Sequence, residues 1–142
     1  MPVISFLENP LPEQIDQIIL LYQAENWWEP IEDEAGFIRR LIAGSHCFAI
    51  ATLDNEIVGM GRAISDGVSD AYIQDITVKS SQRGKDLGSG IIRKIVDRLN
   101  DDGIHWIGLI SEKDSHLFYE KLGFQEMAGA IPMLKKDFPA VK

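Results

Sequence analysis

The chain has 142 residues, 45% of them hydrophobic and 25% charged, which is the composition of an ordinary globular protein and predicts one domain over 1–142. Its formal net charge of −8 excludes a nucleic-acid surface, which needs clustered Lys and Arg, and favours a cationic or neutral small partner. No apolar run approaches the roughly 20 residues that cross a bilayer, MPVISFLENP lacks the basic region of a secretory signal, and the lone Cys47 precludes an internal disulfide framework, so a cytoplasmic protein is expected.

In chain order, VISFLE (3–8) reads as a short first strand, closed by Asn9-Pro10 and Pro12. Ile15, Ile18, Ile19 and Tyr22 then fall at i, i+3, i+4 and i+7, the stripe of an amphipathic helix. A second helix over 33–43 carries Phe37, Ile38, Leu41 and Ile42 and is expected to stop at Gly44. Between the helices, ENWWEPIEDE (25–34) holds five carboxylates and no base; it reads either as a solvated turn or as an acidic rim that concentrates an amine cation.

CFAIATL (47–53) and EIVGMGRAI (56–64), separated by Asp54-Asn55, predict a hairpin, and AYIQDITV (71–78) predicts the next strand. Cys47 reads as a small core side chain, and with His46, His105 and His116 scattered, no spacing supports a zinc site, so no metal is expected. After QRGKDLGSG (82–90) the period becomes helical, through Leu87, Ile91, Ile92, Ile95, Val96 and Leu99. HWIGLIS (105–111) is a strand, DSHLFYEKLG (114–123) a short helix, and FQEMA and IPMLKK two last short strands. The expected fold is therefore α/β (α+β): a mixed, mostly antiparallel sheet of six to seven strands, about four helices, and one right-handed parallel crossover over 71–111. A ligand crevice is expected at that crossover.

The glycine loop lies inside it. First-turn amides of a helix lack intrahelical partners and carry the positive end of the macrodipole, so they favour an anion, and glycines let the backbone approach it. Gly84, Gly88 and Gly90 are spaced for this, with Arg83 and Lys85 adding charge. The phosphate signature ending in Gly-Lys-Ser/Thr is absent, the dinucleotide fingerprint fails at Gly59-Met60-Gly61 and Gly88-Ser89-Gly90, and the serine-hydrolase elbow is missing.

With Val78 ahead of it, Arg83-Gly84-Lys85-Asp86-Leu87-Gly88 resembles the glycine loop of the GNAT (GCN5-related) N-acetyltransferase superfamily, and SHLFYEKLGF (115–124) is similar to that family's closing helix. The resemblance covers the element order from end to end, although both motifs lie within 73–124. It implies an N-acetyltransferase that moves an acetyl group from acetyl-CoA to a primary amine by direct attack in a ternary complex, with a GNAT-like fold and the possibility of a homodimer through the C-terminal strands. Carried over by position, Arg83, Gly84, Lys85, Leu87, Gly88 and Ser89 would hold the pyrophosphate, and backbone from Ile76 to Val78 would pair with the pantetheine arm. Tyr119 matches the tyrosine that protonates the leaving thiolate; a phenol with a pKa of about 10 can donate to a thiolate whose conjugate acid lies at about 8.5 when hydrogen-bond reach is met.

Two positions depart from the pattern. Asp86 stands where the family usually has glycine, and at about 4 Å like charges cost roughly 1 kcal/mol in water and about 4 at an effective dielectric of 20. Asp tolerates left-handed φ and caps helices, so it is expected to turn outward and bond a helix amide. Glu112 stands where an asparagine often fixes the thioester arm.

For the acceptor, Asp75 is the leading candidate base, on the face of its strand that carries Ile73 and Thr77 and among apolar neighbours; the competing reading is a structural hydrogen bond. Trp27 and Trp28 suit a small amine with an apolar or aromatic body, or else pack on the core. Asp66 and Asp70 read as turn formers or amine contacts, and His116 as surface. Two alternatives stand beside a small-molecule acetyltransferase: a non-catalytic binding or regulatory module of the same fold, and a protein or peptide N-acetyltransferase.

Overall fold

The structure is a computed structural model and describes residues 1–137. Its sheet has five strands in sequential order: β1 (Val3–Phe6), β2 (Cys47–Leu53), β3 (Glu56–Ser65), β4 (Asp70–Val78) and β5 (Trp106–Gly108). The first four pair antiparallel and β4 pairs with β5 in parallel, so the expected crossover is present. Helices α1 (Pro12–Glu25) and α2 (Glu34–Gly44) cover one face, α3 (Leu87–Asp101) the other, and the short α4 (His116–Glu120) follows β5.

Sequence chemistry sets most of these boundaries. Proline at the first position of α1 lacks only an amide that would go unpaired, and the Gln14 side chain accepts from Leu11 N at 2.9 Å, tying down the entry to the helix. Helix α1 ends at Asn26, whose left-handed φ of 57° suits asparagine. Asp33 caps α2 by accepting from Gly36 N at 3.2 Å. The expected C-terminal glycine role does not fall to Gly44, which is the last helical residue; Ser45 closes the helix instead, donating from Oγ to Leu41 O at 2.7 Å. Asp54 and Asn55, with φ of 51° and 64°, make the two-residue turn between β2 and β3.

Two cores sandwich the sheet. Ile15, Ile18, Tyr22, Ile38 and Ile42 from the first two helices meet Phe48, Ile50, Ile57 and Met60. On the other side, Leu87, Ile91, Ile92, Ile95 and Leu99 lie over Ala49, Ala51, Ala63 and Ala71, small residues that let α3 sit close. At the far end of α3, Asp102 Oδ2 accepts from Arg98 Nε at 2.9 Å and lies 2.7 Å from His46 Nε2, tying the start of β2 to the helix.

A β-bulge in β4 changes which residues face which core. The register with β3 shifts between Met60 and Arg62, and Asp75, at the shift, has φ of 60°. Before it, Ala71 and Ile73 pack toward α3; after it, Ile76 and Val78 do. Asp75 and Thr77 therefore point to the α1 side, and Asp75 does not share the face of Ile73, as simple alternation predicts. Gly61 accommodates this crossing, since a Cβ there would lie 2.3 Å from Ile76 Cδ1.

The sheet is also smaller than expected. Neither FQEMA nor IPMLKK forms a strand: residues 124–128 and 131–136 are loop and turn, and Met127, Ile131, Met133 and Leu134 are exposed. Five strands replace the six to seven expected, because a strand needs a partner edge and local alternation does not supply one. No helix among the described residues is long and apolar enough to cross a membrane.

Candidate active site

Strands β4 and β5 pair only at Asp70 with Trp106, Ala71 with Ile107 and Tyr72 with Gly108, and then diverge. Beyond Tyr72 this edge of β4 has no strand partner among the described residues, and a cleft of about 1210 Å³ opens between Ile73–Val78 and the segment 109–113. Its remaining walls come from the glycine loop, the first turn of α3, α4, the end of α1, and Pro132, Met133 and Leu134. The expected crevice is thus a splay in the sheet, which explains why the strand expected over 105–111 is only three residues long.

The glycine loop descends from β4 through the 3-10 turn Ser80–Gln82. Gly84 has φ of 79°, a conformation costly for side-chain-bearing residues, with open space where a Cβ would be. Asp86 also adopts left-handed backbone, φ 61°, and is the residue before α3, but its carboxylate makes no capping bond, contrary to expectation. The first intrahelical bond is Gly90 N to Asp86 O at 3.1 Å, so the amides of Leu87, Gly88 and Ser89 are left as first-turn donors at the cleft wall. Gly88 sits under Phe118, 3.3 Å from where its Cβ would fall, whereas Gly90 serves packing, since a Cβ there would come within 2.6 Å of Ile4 Cδ1. Of the three loop glycines expected to serve an anion, two face the cleft and the third fits α3 to β1.

Arg83 is turned back toward the sheet: its Nε donates to Val78 O at 3.0 Å and its Nη2 lies 3.6 Å from Glu25 Oε1. Lys85 donates to Gln82 Oε1 at 3.1 Å and does not line the cleft. Ile76 and Val78 border the cleft while their side chains pack on the α3 core, so backbone is what they present to a ligand.

Tyr119 lines the cleft from α4, its ring held edge-on between Phe118 and Phe124. Burial raises its pKa, and the negative charge of Glu112 raises it further, so the phenol keeps its proton. That is the protonation state a proton donor needs.

Asp75 reaches the cleft wall in surroundings that differ from the apolar ones expected. Its Oδ2 accepts from Arg62 Nε at 2.6 Å and from the Tyr22 hydroxyl at 2.9 Å, and Arg62 Nη2 lies 3.4 Å from Gln74 Oε1. Taking up a proton there would dissolve a buried ion pair, so the structural reading of Asp75 has the stronger geometric support. Tyr22 is raised in pKa by burial and by the Asp75 charge, as a phenol donating to a carboxylate should be.

Trp27 lines the cleft and meets the Tyr22 ring edge-on at 5.8 Å; Trp28 packs between Tyr22 and Phe37, at 4.7 and 5.3 Å, and is not a wall residue. Asp66 closes a turn by accepting from Val68 N and Ser69 N, both at 2.8 Å, and these bonds, with Ser69 foremost, hold its carboxyl down at about 2. Asp66 and Asp70 lie outside the cleft lining, and His116 is exposed.

Sequence reasoning did not single out two residues that line the cleft, Glu25 and Lys113, or Arg62, which stands behind its wall as the partner of Asp75. Glu25, the first carboxylate of the acidic run, turns inward, accepts from the Thr77 hydroxyl, and faces both Arg83 and Lys113. The signal that could have found Arg62 is its charge, the one cation within EIVGMGRAI, opposite a strand carrying its own odd charge, Asp75. Lys113, in left-handed backbone beside Asp114, gave no signal of its own.

Comparison with known proteins gives the fold and the family. The model of the acetyltransferase (GNAT) family covers residues 13–124. The uncharacterized N-acetyltransferase ycf52 of Porphyra purpurea is 31% identical over 107 residues, 68% of this chain and 62% of that protein. The chain spans 28% to 62% of the length of the curated relatives it matches. Among solved structures, a GNAT-family acetyltransferase of Streptococcus pneumoniae superposes with a TM-score of 0.73 at 22% identity, over 96% of this chain and 100% of that one. A predicted acetyltransferase of Clostridium acetobutylicum determined with acetyl-CoA gives 0.68 at 18% identity, over 94% and 96%. Likeness at these identities shows the fold, and the family model extends it to descent: the chain belongs to the acetyltransferase (GNAT) family.

Proposed function

We propose that the protein is an N-acetyltransferase that transfers the acetyl group of acetyl-CoA to the primary amine of a small molecule in a ternary complex. The observation that carries this reading is the splayed β4 edge leading to three first-turn amides of α3, with the protonated Tyr119 on the same cleft wall. A long anionic ligand fits such a cleft: amides of Leu87, Gly88 and Ser89, with Gly84 clearing the approach, suit its phosphates, and the open backbone of Ile76 to Val78 suits an amide-bearing arm. Acetyl-CoA supplies the acyl group as a thioester.

The chain's own groups do the remainder. The amine must be neutral to attack, so its ammonium proton passes to solvent water in the cleft before the new N–C bond forms, and the second proton, shed by nitrogen as the amide forms, restores the Tyr119 phenol. As the C–S bond breaks, the sulfur gains negative charge, and Tyr119 donates its phenolic proton to it. The diverging strands hold the two reactants in one crevice, which replaces an encounter between three bodies by positioning. Trp27 gives an apolar wall for the body of a small acceptor amine.

The reading is tested by incubating the protein with acetyl-CoA and phenethylamine, spermidine, ethanolamine or a lysine-containing peptide, and following release of free thiol. Turnover with a small amine exceeding that with the peptide supports it; peptide turnover alone reassigns the acceptor, and release with none of them removes the enzymatic reading. A binding module is the second reading. Its support is Asp86 beside the anion-facing amides and Arg83 folded back on Val78 and Glu25.

A further inference from the structure

Glu25 stands at the end of α1 with its side chain 15% exposed, inside the cleft rather than on the acidic rim that follows it. One oxygen, Oε1, accepts from the Thr77 hydroxyl on β4 and lies 3.6 Å from Arg83 Nη2; the other, Oε2, lies 3.8 Å from Lys113 Nζ. The carboxylate thus links three cleft elements: the open edge of β4, the glycine loop and the segment after β5. Both cations are more exposed than Glu25, 61% for Arg83 and 73% for Lys113, and both contacts are longer than a good charge-assisted hydrogen bond. Such pairs are weak and exchange readily.

Arg83 belongs to the loop that presents amides to an anion, yet its guanidinium faces a carboxylate. A phosphate arriving at the amides of Leu87 to Ser89 competes with Glu25 for it, and two phosphate oxygens offer the bidentate grip that a 3.6 Å contact lacks. Once Arg83 turns to the phosphate, Glu25 remains anchored by Thr77, on the same cleft wall as Trp27, with Oε1 freed of its cation and only the exposed Lys113, 3.8 Å from Oε2, left to offset its charge.

We propose that Glu25 is a shared counter-ion: it holds Arg83 until the anionic cofactor takes it, and then receives the ammonium group of the acceptor. The proposal rests on the acetyl-CoA reading and deepens it by assigning the residue that reads the acceptor: the amine arrives protonated and its ammonium group meets Glu25 beside Trp27. It follows that filling the anion loop strengthens amine binding and that, by reciprocity, the amine strengthens cofactor binding.

The test is calorimetric titration with CoA of the wild type, E25Q and E112Q, each with and without phenethylamine. Glutamine at 25 still accepts from Thr77, and a thermal melt confirms folding of each variant. Glu112 lines the same cleft and forms no cation pair within 4 Å among the described residues, so E112Q measures the field effect of removing one cleft carboxylate. The expected result is CoA bound about two- to fivefold more tightly by E25Q, the range a weak ion pair can withhold, with less than half that gain in E112Q. Phenethylamine is expected to tighten CoA binding by the wild type and to have no such effect in E25Q. An unchanged or weakened CoA affinity in E25Q, or an equal gain in E112Q, overturns the exchange. No effect of phenethylamine on the wild type, or an equal effect in E25Q, overturns the assignment of the ammonium site. If the wild type binds no CoA at all, the acetyl-CoA reading falls and takes this proposal with it, a result distinct from binding without the Glu25 effect.

Discussion

Tyr119 and Asp86 are the two residues on which the proposed chemistry of the cleft turns. Tyr119 stands out in the sequence through a short aromatic motif ahead of Gly123-Phe124, and burial with Glu112 keeps its phenol protonated, the form that the proposed donor role needs. Tyr119→Phe keeps the ring packed between Phe118 and Phe124, so turnover should fall on the order of 10²-fold while acetyl-CoA affinity stays within about twofold. Steady-state kinetics paired with calorimetry separates the two, and unchanged turnover would remove the assigned role. Asp86 was legible as an anomaly but not in its resolution. Its backbone takes the left-handed form that the loop requires, while its carboxylate gains no helix amide in return. Asp86→Gly should relieve both the backbone strain and the repulsion, tightening acetyl-CoA binding by about fivefold, the equivalent of roughly 1 kcal/mol between like charges in water. Weaker binding by the glycine variant would mean that Asp86 contributes to the site.

Strand β4 is the element that organises everything else. Its hydrophobic content and position were plain from AYIQDITV, but the bulge was not, since a bulge is a property of two strands in register and period-two alternation hides it. The consequence is large: Asp75 changes from a base among apolar side chains to the partner of Arg62 and Tyr22, reached from the α1 side. Asp75→Asn leaves the Arg62 charge poorly compensated, with the native Asp75 side chain only 1% exposed, and should cost about 3 kcal/mol of stability. In the same variant the acid limb of the kcat/KM profile should stay where it is. Urea unfolding and pH-rate measurements check the two halves, and loss of the acid limb would restore Asp75 as the base. The helices were more legible than the strands because their stripes are local: Ile15, Ile18 and Tyr22 in α1 and Leu87, Ile91, Ile95 and Leu99 in α3 are buried as their spacing requires. The two C-terminal strands failed for the opposite reason. Their alternation was local, whereas pairing requires an edge from elsewhere in the chain.

At the scale of the molecule, the two cores divide the ionisable groups as they divide the sheet. Tyr22 and Tyr119 lie on opposite sides of the chain order, yet both are raised in pKa chiefly by burial. The folded protein therefore holds two phenolic protons that the unfolded chain begins to release at about pH 10. Stability from this source is intact below that pH and is lost as the pH rises above it. Urea midpoints should be level from about pH 7 to 9 and fall beyond about pH 10, and Tyr22→Phe should flatten the alkaline fall at some cost in stability, since Asp75 loses a donor. An equally steep fall in the variant would assign the alkaline loss to other groups.

The whole architecture, two helical layers on a sheet that splays between β4 and β5, suits one long ligand, and the proposed function rests on that fit. The most direct measurement is calorimetric titration of the protein with acetyl-CoA at physiological salt. Saturable binding in the micromolar range, weakened as salt is raised, is the predicted result and would establish that the loop around Gly84 and Asp86 holds the cofactor. Absence of binding at millimolar acetyl-CoA would contradict the account and leave the fold as a binding module for something else.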